Sequence, residues 1–193
     1  MTSTTGRVIL LANMTELKIH RCIGRDRKKN AVPLSKLRTS EAVKTVVNHP
    51  RRIEELIAMF QDKDRLVRGR AATALARLSE SHPDRLLRRL DRIREALGDD
   101  SAFVRWHAVY CLACVGSKHP GKSTEYLPKL ADLLDDENRI VRIFATRALG
   151  QIALRKRSIV ENYFKEHKRE LPAGVMRILQ GSSRKSNKPK TRQ

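Results

Sequence analysis

The sequence has 193 residues, 40% of them hydrophobic but only 4% aromatic, and a formal net charge of +20. That length suits one domain with a Leu, Ile, Val and Ala core, and seven prolines with nine glycines are too few to punctuate a chain of many short strands. Three cysteines (Cys22, Cys111, Cys114) do not make a disulfide framework, and the apolar run at residues 8–12 is too short for a signal core or a bilayer span. The expectation is an intracellular protein without a membrane segment, cytoplasmic, or nuclear if the source is eukaryotic.

The charge is unevenly placed. Residues 1–49 carry 10 basic and 3 acidic groups, whereas residues 50–154 are nearly balanced with 19 and 15. Residues 155–180 carry 7 and 3, and residues 181–193 carry 5 basic groups and no acid. The excess lies in the flanks.

In chain order, residues 1–30 read as a basic N-terminal segment with no assigned structure, containing Arg25, Arg27, Lys28 and Lys29. Residues 31–180 read as a helical domain that opens with a capping helix over 34–47. Three repeats come next, at about 50–82, 83–119 and 120–154. Asp62, Asp99 and Asp136 stand 37 residues apart, and Val67-Arg68, Val104-Arg105 and Val141-Arg142 recur at the same step. So do Ala71, Ala108 and Ala145, then Leu75, Leu112 and Leu149, and a His-Pro pair at residues 82 and 119. A fixed period of this length marks a solenoid of supersecondary units.

Within each unit the pattern is helical. Val67, Ala71, Ala74, Leu75 and Leu78 fall on one face of a 3.6-residue period, so the second helix of each hairpin buries that face. First helices are predicted over 53–60, 86–97 and 126–134, joined to the second by polar turns whose Asp and Ser residues can cap it. Capping helices are predicted over 158–168 and 173–180. Residues 181–193 contain no large apolar residue and are predicted to be a disordered basic tail.

The three second-helix segments, beginning D-K-D-R-L-V-R-G-R-A-A, D-D-S-A-F-V-R-W-H-A-V and D-E-N-R-I-V-R-I-F-A-T, resemble the HEAT repeat family over roughly residues 50–154. The resemblance implies an all-α, right-handed α-solenoid of helical hairpins. It implies a structural ladder between units made by Asp62, Arg68, Asp99, Arg105, Asp136 and Arg142. It implies a scaffold function, with second helices lining a concave face.

The positions left over from the core on that face include Arg70 and Arg77, then Trp106, His107, Tyr110 and Cys114, then Phe144, Arg147 and Gln151. The set holds three arginines and no carboxylate. Trp, Tyr and Arg are common interface anchors because each buries a large area at modest entropy cost. Arg70, Arg77, Trp106, His107, Tyr110, Phe144 and Arg147 are therefore the expected partner-binding residues. A protein partner, acidic in character, is the first reading. Nucleic acid is the alternative, with phosphate contacts from Arg25, Arg27, Lys28, Lys29, Arg155, Lys156 and Arg157.

No cofactor, metal site or catalytic set is expected. Cys111 and Cys114 form a C-x-x-C without a second pair, and Cys111 stands where Ala74 and Ala148 stand in the other units, as a small core residue does. Two enzymatic relatives of HEAT-like proteins remain as minor alternatives. Alkylpurine DNA glycosylases need an acidic catalytic residue that these concave positions lack, and bilin lyases are neither selected nor excluded.

Overall fold

A computed structural model describes residues 32–186, with side chains described through residue 181. The chain divides into two units, residues 1–36 and 37–193. In the first, the described residues carry a single 3-10 turn, Leu34–Lys36, closed by the Lys36 N–H on the Pro33 carbonyl. The predicted helix over 34–47 is thus interrupted: Arg38 is extended (ψ 151°), and the α-helix starts only at Thr39. The expectations for residues 1–30 lie outside the described residues.

The second unit is helical, with no strand among the described residues. Its α-helices are α1 (Thr39–Asn48), α2 (Ile53–Phe60), α3 (Arg65–Ser81), α4 (Leu90–Glu95), α5 (Ala102–Lys118), α6 (Leu127–Asp132), α7 (Arg139–Arg155), α8 (Arg157–Glu166) and α9 (Ala173–Ser186). The 37-residue period survives intact in the backbone. α3, α5 and α7 each span 17 residues and start 37 apart.

Every first helix opens with a 3-10 turn led by proline, at Pro50, Pro83 and Pro120. There the missing N–H leaves no broken bond. The histidine before each proline caps the preceding helix, α1, α3 or α5: His49, His82 and His119 donate their N–H groups to Thr45, Leu78 and Val115 carbonyls. This is a turn role.

Two layers result. α1, α3, α5, α7 and α9 pack side by side, while α2, α4, α6 and α8 lie behind them. Neighbours in the front layer run parallel: Gly69 lies beside Phe103 as Thr73 lies beside His107, and Thr146 lies beside Gly174 as Gly150 lies beside Ile178. Between the layers lies a continuous core. It is built from Ala71, Leu75 and Leu78, then Ala108, Cys111, Leu112 and Val115, then Ala145, Ala148, Leu149 and Ile152, all at most 1% exposed. Leu56, Phe60, Leu86, Ile93 and Leu130 fill it from the rear layer.

Small residues at the crossings let helix axes approach. Gly116 shows why: a Cβ there would stand 2.7 Å from the Tyr126 hydroxyl and 2.8 Å from Ile152 Cγ1. Tyr126 is itself fully buried, and its hydroxyl donates to the Leu112 carbonyl at 3.0 Å, which satisfies the one polar atom it brings inside.

The C-terminal end departs from expectation. α9 continues to Ser186, past residue 180 where the sequence reading ended it, so residues 181–186 are helical rather than part of a disordered tail. Residues 187–193 lie outside the described residues. α9 packs on α7 and gives the front layer one more parallel helix; Val175 is buried in that contact region. The helical run persists because backbone bonding continues once a packed helix has nucleated, whatever the polarity of its last turn.

Candidate partner-binding face

The turn between the helices of each hairpin fixes where the front-layer helices begin. Asp62, Asp99 and Asp136 each use Oδ1 to accept the N–H two residues on, from Asp64, Ser101 and Asn138, all at 2.8 Å. Asp64 and Asn138 then cap α3 and α7, accepting from Leu66 and Ile140 at 2.8 and 2.9 Å. Ser101 differs. Its side chain makes no cap bond to α5; instead its buried hydroxyl accepts from Arg65 Nε of the preceding unit at 3.2 Å.

On this frame the ladder runs forward through the chain. Arg68 grips Asp99 with two bonds of 2.8 and 3.2 Å, and Arg105 grips Asp136 with two of 2.8 and 2.9 Å. Each arginine also donates to carbonyls of its own turn: Arg68 to Asp62 and Lys63, Arg105 to Asp99 and Asp100. The Arg105–Asp136 pair is nearly dry, with side chains 8% and 7% exposed. Burial pushes the Asp136 carboxyl up, but the Arg105 guanidinium and the Asn138 N–H outweigh it and hold it below the usual carboxylate range.

The rungs are unequal. Arg142 reaches only the Asp136 and Glu137 carbonyls, at 2.6 and 3.0 Å, since Ala173 begins the next front-layer helix and no carboxylate among the described residues pairs with it. Among the described residues Asp62, at the other end, takes only the turn N–H of Asp64 on its side chain.

The exposed face of the front layer carries the expected binding residues. Trp106 of α5 lies between rings: His107 stacks at 3.5 Å and 27°, Phe144 of α7 lies at 4.8 Å and 31°, and Phe103 meets it edge-on at 5.5 Å. Tyr110 reaches Phe144 edge-on at 6.2 Å. The Arg147 guanidinium sits 5.8 Å over the Phe144 ring, so cation and rings share one side of the layer. Arg70 and Arg77 are exposed on the Thr73 stripe of α3, and no carboxylate among the described residues forms an ion pair with Arg70, Arg77 or Arg147.

Three placements differ from the sequence reading. His107 is 4% exposed, donates from Nδ1 to the Phe103 carbonyl at 2.7 Å, and lies 3.5 Å through Nε2 from Thr73 Oγ1. Burial lowers its pKa against the opposing pull of the Phe103 carbonyl, so it is a wall of the face rather than a contact on it. The face also holds a carboxylate: the Tyr110 hydroxyl donates to Glu80 Oε1 at 2.8 Å, which, with burial, pushes the phenol up to about 12. Glu80 lies three residues beyond Arg77, one helical step past the positions counted in sequence.

Third, apolar residues belong to the face that the sequence reading left unassigned. Leu66, Phe103 and Ile140 are 72%, 46% and 47% exposed. They occupy one repeat position, immediately before each Val-Arg pair. The 37-residue recurrence that located the core held this signal too.

Other expected residues stay apart. Arg155, Lys156 and Arg157 are exposed at the α7–α8 junction, where Arg157 Nε donates to Glu161 at 2.6 Å. Arg25, Arg27, Lys28 and Lys29 lie outside the described residues. Cys111 is fully buried and Cys114 half-buried; burial raises both thiols, which keeps them protonated. Among the described residues no cluster of His, Cys, Asp and Glu has the grouping to hold a metal ion, and no helix is long and apolar enough to cross a membrane.

Comparison with known proteins agrees with this architecture. The family model of non-SMC mitotic condensation complex subunit 1 matches residues 86–180. A designed armadillo repeat protein in complex with the peptide (KR)4 superposes with a TM-score of 0.55 at 20% identity, covering 75% of this chain and 67% of its own. A computationally designed armadillo repeat protein for modular peptide recognition gives 0.58 at 19% identity, covering 75% and 69%. The chain has an all-α helical-repeat solenoid fold. An engineered protein at 27% identity superposes on this solenoid with a TM-score of 0.51 over 62% of this chain and 53% of its own. No curated protein matches the sequence.

Proposed function

We propose that this HEAT-like repeat protein is a non-catalytic scaffold whose front-layer face binds an acidic protein partner. The observation that carries the reading is that Arg70, Arg77 and Arg147, exposed and without carboxylate ion pairs among the described residues, lie on the layer that holds the Trp106–Tyr110–Phe144 ring cluster, with Arg147 over Phe144. Unpaired guanidiniums grip carboxylates bidentately, and clustered aromatic rings supply the desolvated centre that an interface needs. The designed armadillo protein holds a strongly basic peptide; here the free charge on the front layer is positive, so complementarity asks for the opposite sign.

The same side chains support the non-catalytic reading. Glu80 is committed to Tyr110, His107 is buried with its Nδ1 proton engaged, and both thiols are raised by burial. None is placed as a free base or nucleophile. Nucleic acid is the less supported partner. Trp106 already has His107 and Phe144 close to parallel with it, so its ring offers little free face for a base to stack on.

A fluorescent poly-glutamate peptide titrated against the protein tests the reading by anisotropy. Arg147→Glu and Arg70→Glu should each weaken binding about tenfold at low salt, with helicity by circular dichroism unchanged. Equal binding by both variants and the parent sinks it.

A further inference from the structure

Leu66, Phe103 and Ile140 form a repeated apolar feature that the fold does not need. Each stands at the first turn of a front-layer helix, one per unit, and each is 46% exposed or more. Their chain neighbours Val104 and Val141 are fully buried in the core, so the helices do not lack apolar residues to bury. Isolated exposed leucines are ordinary, whereas the same position apolar and exposed in three successive units is a row. The row continues into the ring cluster: Phe103 meets Trp106 at 5.5 Å and its ring would lie 3.6 Å from a Cβ at Gly69. Arg70 lies one turn along α3 from Leu66, and Arg147 two turns along α7 from Ile140.

We infer that this row is the specificity-determining part of the binding face, and that its occupant is an acidic protein segment carrying regularly spaced aliphatic side chains. The inference rests on the reading of the face as an acidic-partner surface and names what that partner must bring besides charge. The arginines fix the sign, and the row fixes the apolar complement.

The chain's own flanks do not fit the requirement. Residues 1–49 carry 10 basic and 3 acidic groups and residues 181–193 only basic ones, so each would bring like charge to a positive face. A second copy, at +20, fails on the same ground. Leu66 and Ile140 are aliphatic and offer nothing for bases to stack on, which sets nucleic acid aside.

The spacing narrows the segment further. Packed helices stand about 8–10 Å apart, so the row offers one apolar contact at that interval. A polyproline-type segment repeats a face every three residues, a step of about 9.3 Å, whereas a β-strand repeats a face at about 6.6 Å. An extended segment with two acidic residues followed by one aliphatic residue matches both the row and the arginines.

The probe is a fluorescein-labelled Glu-Glu-Leu repeat peptide, titrated by anisotropy beside a Glu-only peptide, a Lys-Lys-Leu repeat and a single-stranded oligothymidylate. The variants are Leu66→Ser and Ile140→Ser, whose exposed positions tolerate a polar side chain, with Arg147→Glu as the charge control. Glu-Glu-Leu should bind at least tenfold more tightly than Glu-only, and each Ser variant should lose about that factor toward Glu-Glu-Leu while leaving Glu-only binding unchanged. Equal affinity of the Ser variants and the parent for Glu-Glu-Leu, with Arg147→Glu still weakened, overturns the row and leaves the acidic-partner reading standing. Insensitivity to all three variants, or a preference for Lys-Lys-Leu or oligothymidylate, overturns both.

Discussion

Arg105 and Arg142 occupy the same repeat position and have different jobs because the residue 31 positions further along differs. Arg105 meets Asp136 in a pair that is almost wholly dry; Arg142 has Ala173 at that step and, among the described residues, bonds only to carbonyls of its own turn. Taking one partner from a buried pair strands the other charge away from water, which costs about 3–5 kcal/mol. Losing donors to carbonyls near solvent costs about 1 kcal/mol. Arg105→Ala should therefore destabilise the protein by roughly 3 kcal/mol and Arg142→Ala by about 1 kcal/mol, read from paired urea melts. Equal losses would mean that the carboxylate contributes nothing beyond the turn carbonyls.

The glycines of the front layer act at the scale of the helix. Gly116 sits where α5 meets both Tyr126 from the rear layer and Ile152 from α7, and an added methyl would overlap both. Overpacking a filled crossing costs about 1–3 kcal/mol, and the Tyr126–Leu112 bond would be strained with it. Gly116→Ala should lower the thermal midpoint by several degrees, about 2–12 °C for a loss of this size, whereas Gly98→Ala, with open space around it, should not. A similar fall for both would show that helix packing at Gly116 is looser than its contacts imply. α9 nests as closely as the repeats do for the same cause: its Gly174 faces Thr146, while Gly150 of α7 faces Ile178.

Over the whole molecule, stacked units share one set of acid-sensitive joints. Asp136 has its carboxyl held below the ordinary range, as have Asp84, bonded to Lys118 and His119, and Asp100, beside Asp99 and Arg68. A carboxyl whose folded pKa is depressed adds stability above its unfolded value, near 4, and gives it up as pH falls through the folded one. Acid also strips negative charge from a chain already at +20, which adds self-repulsion. Thermal melts should hold steady from about pH 7 to about pH 5 on the carboxylate account and fall steeply below about pH 4, with Arg105→Ala showing a shallower fall. An identical fall in parent and variant would remove the ladder from the acid response.

What the sequence determined by itself was whatever repeats: the hairpins, the 37-residue step, the Ala and Leu positions of the core, and the Asp and Arg of the rungs. A core slot must be apolar in every unit, so its period is written in the chain. Residues that act across units were hidden, because their meaning depends on a neighbour brought close only by stacking. Tertiary structure alone decided that His107 is wall rather than surface, that Glu80 meets Tyr110, that Arg142 ends the ladder without a carboxylate, and that α9 runs to Ser186. It also turned Leu66, Phe103 and Ile140 outward, since the side of a helix that faces solvent is set by which neighbours cover it.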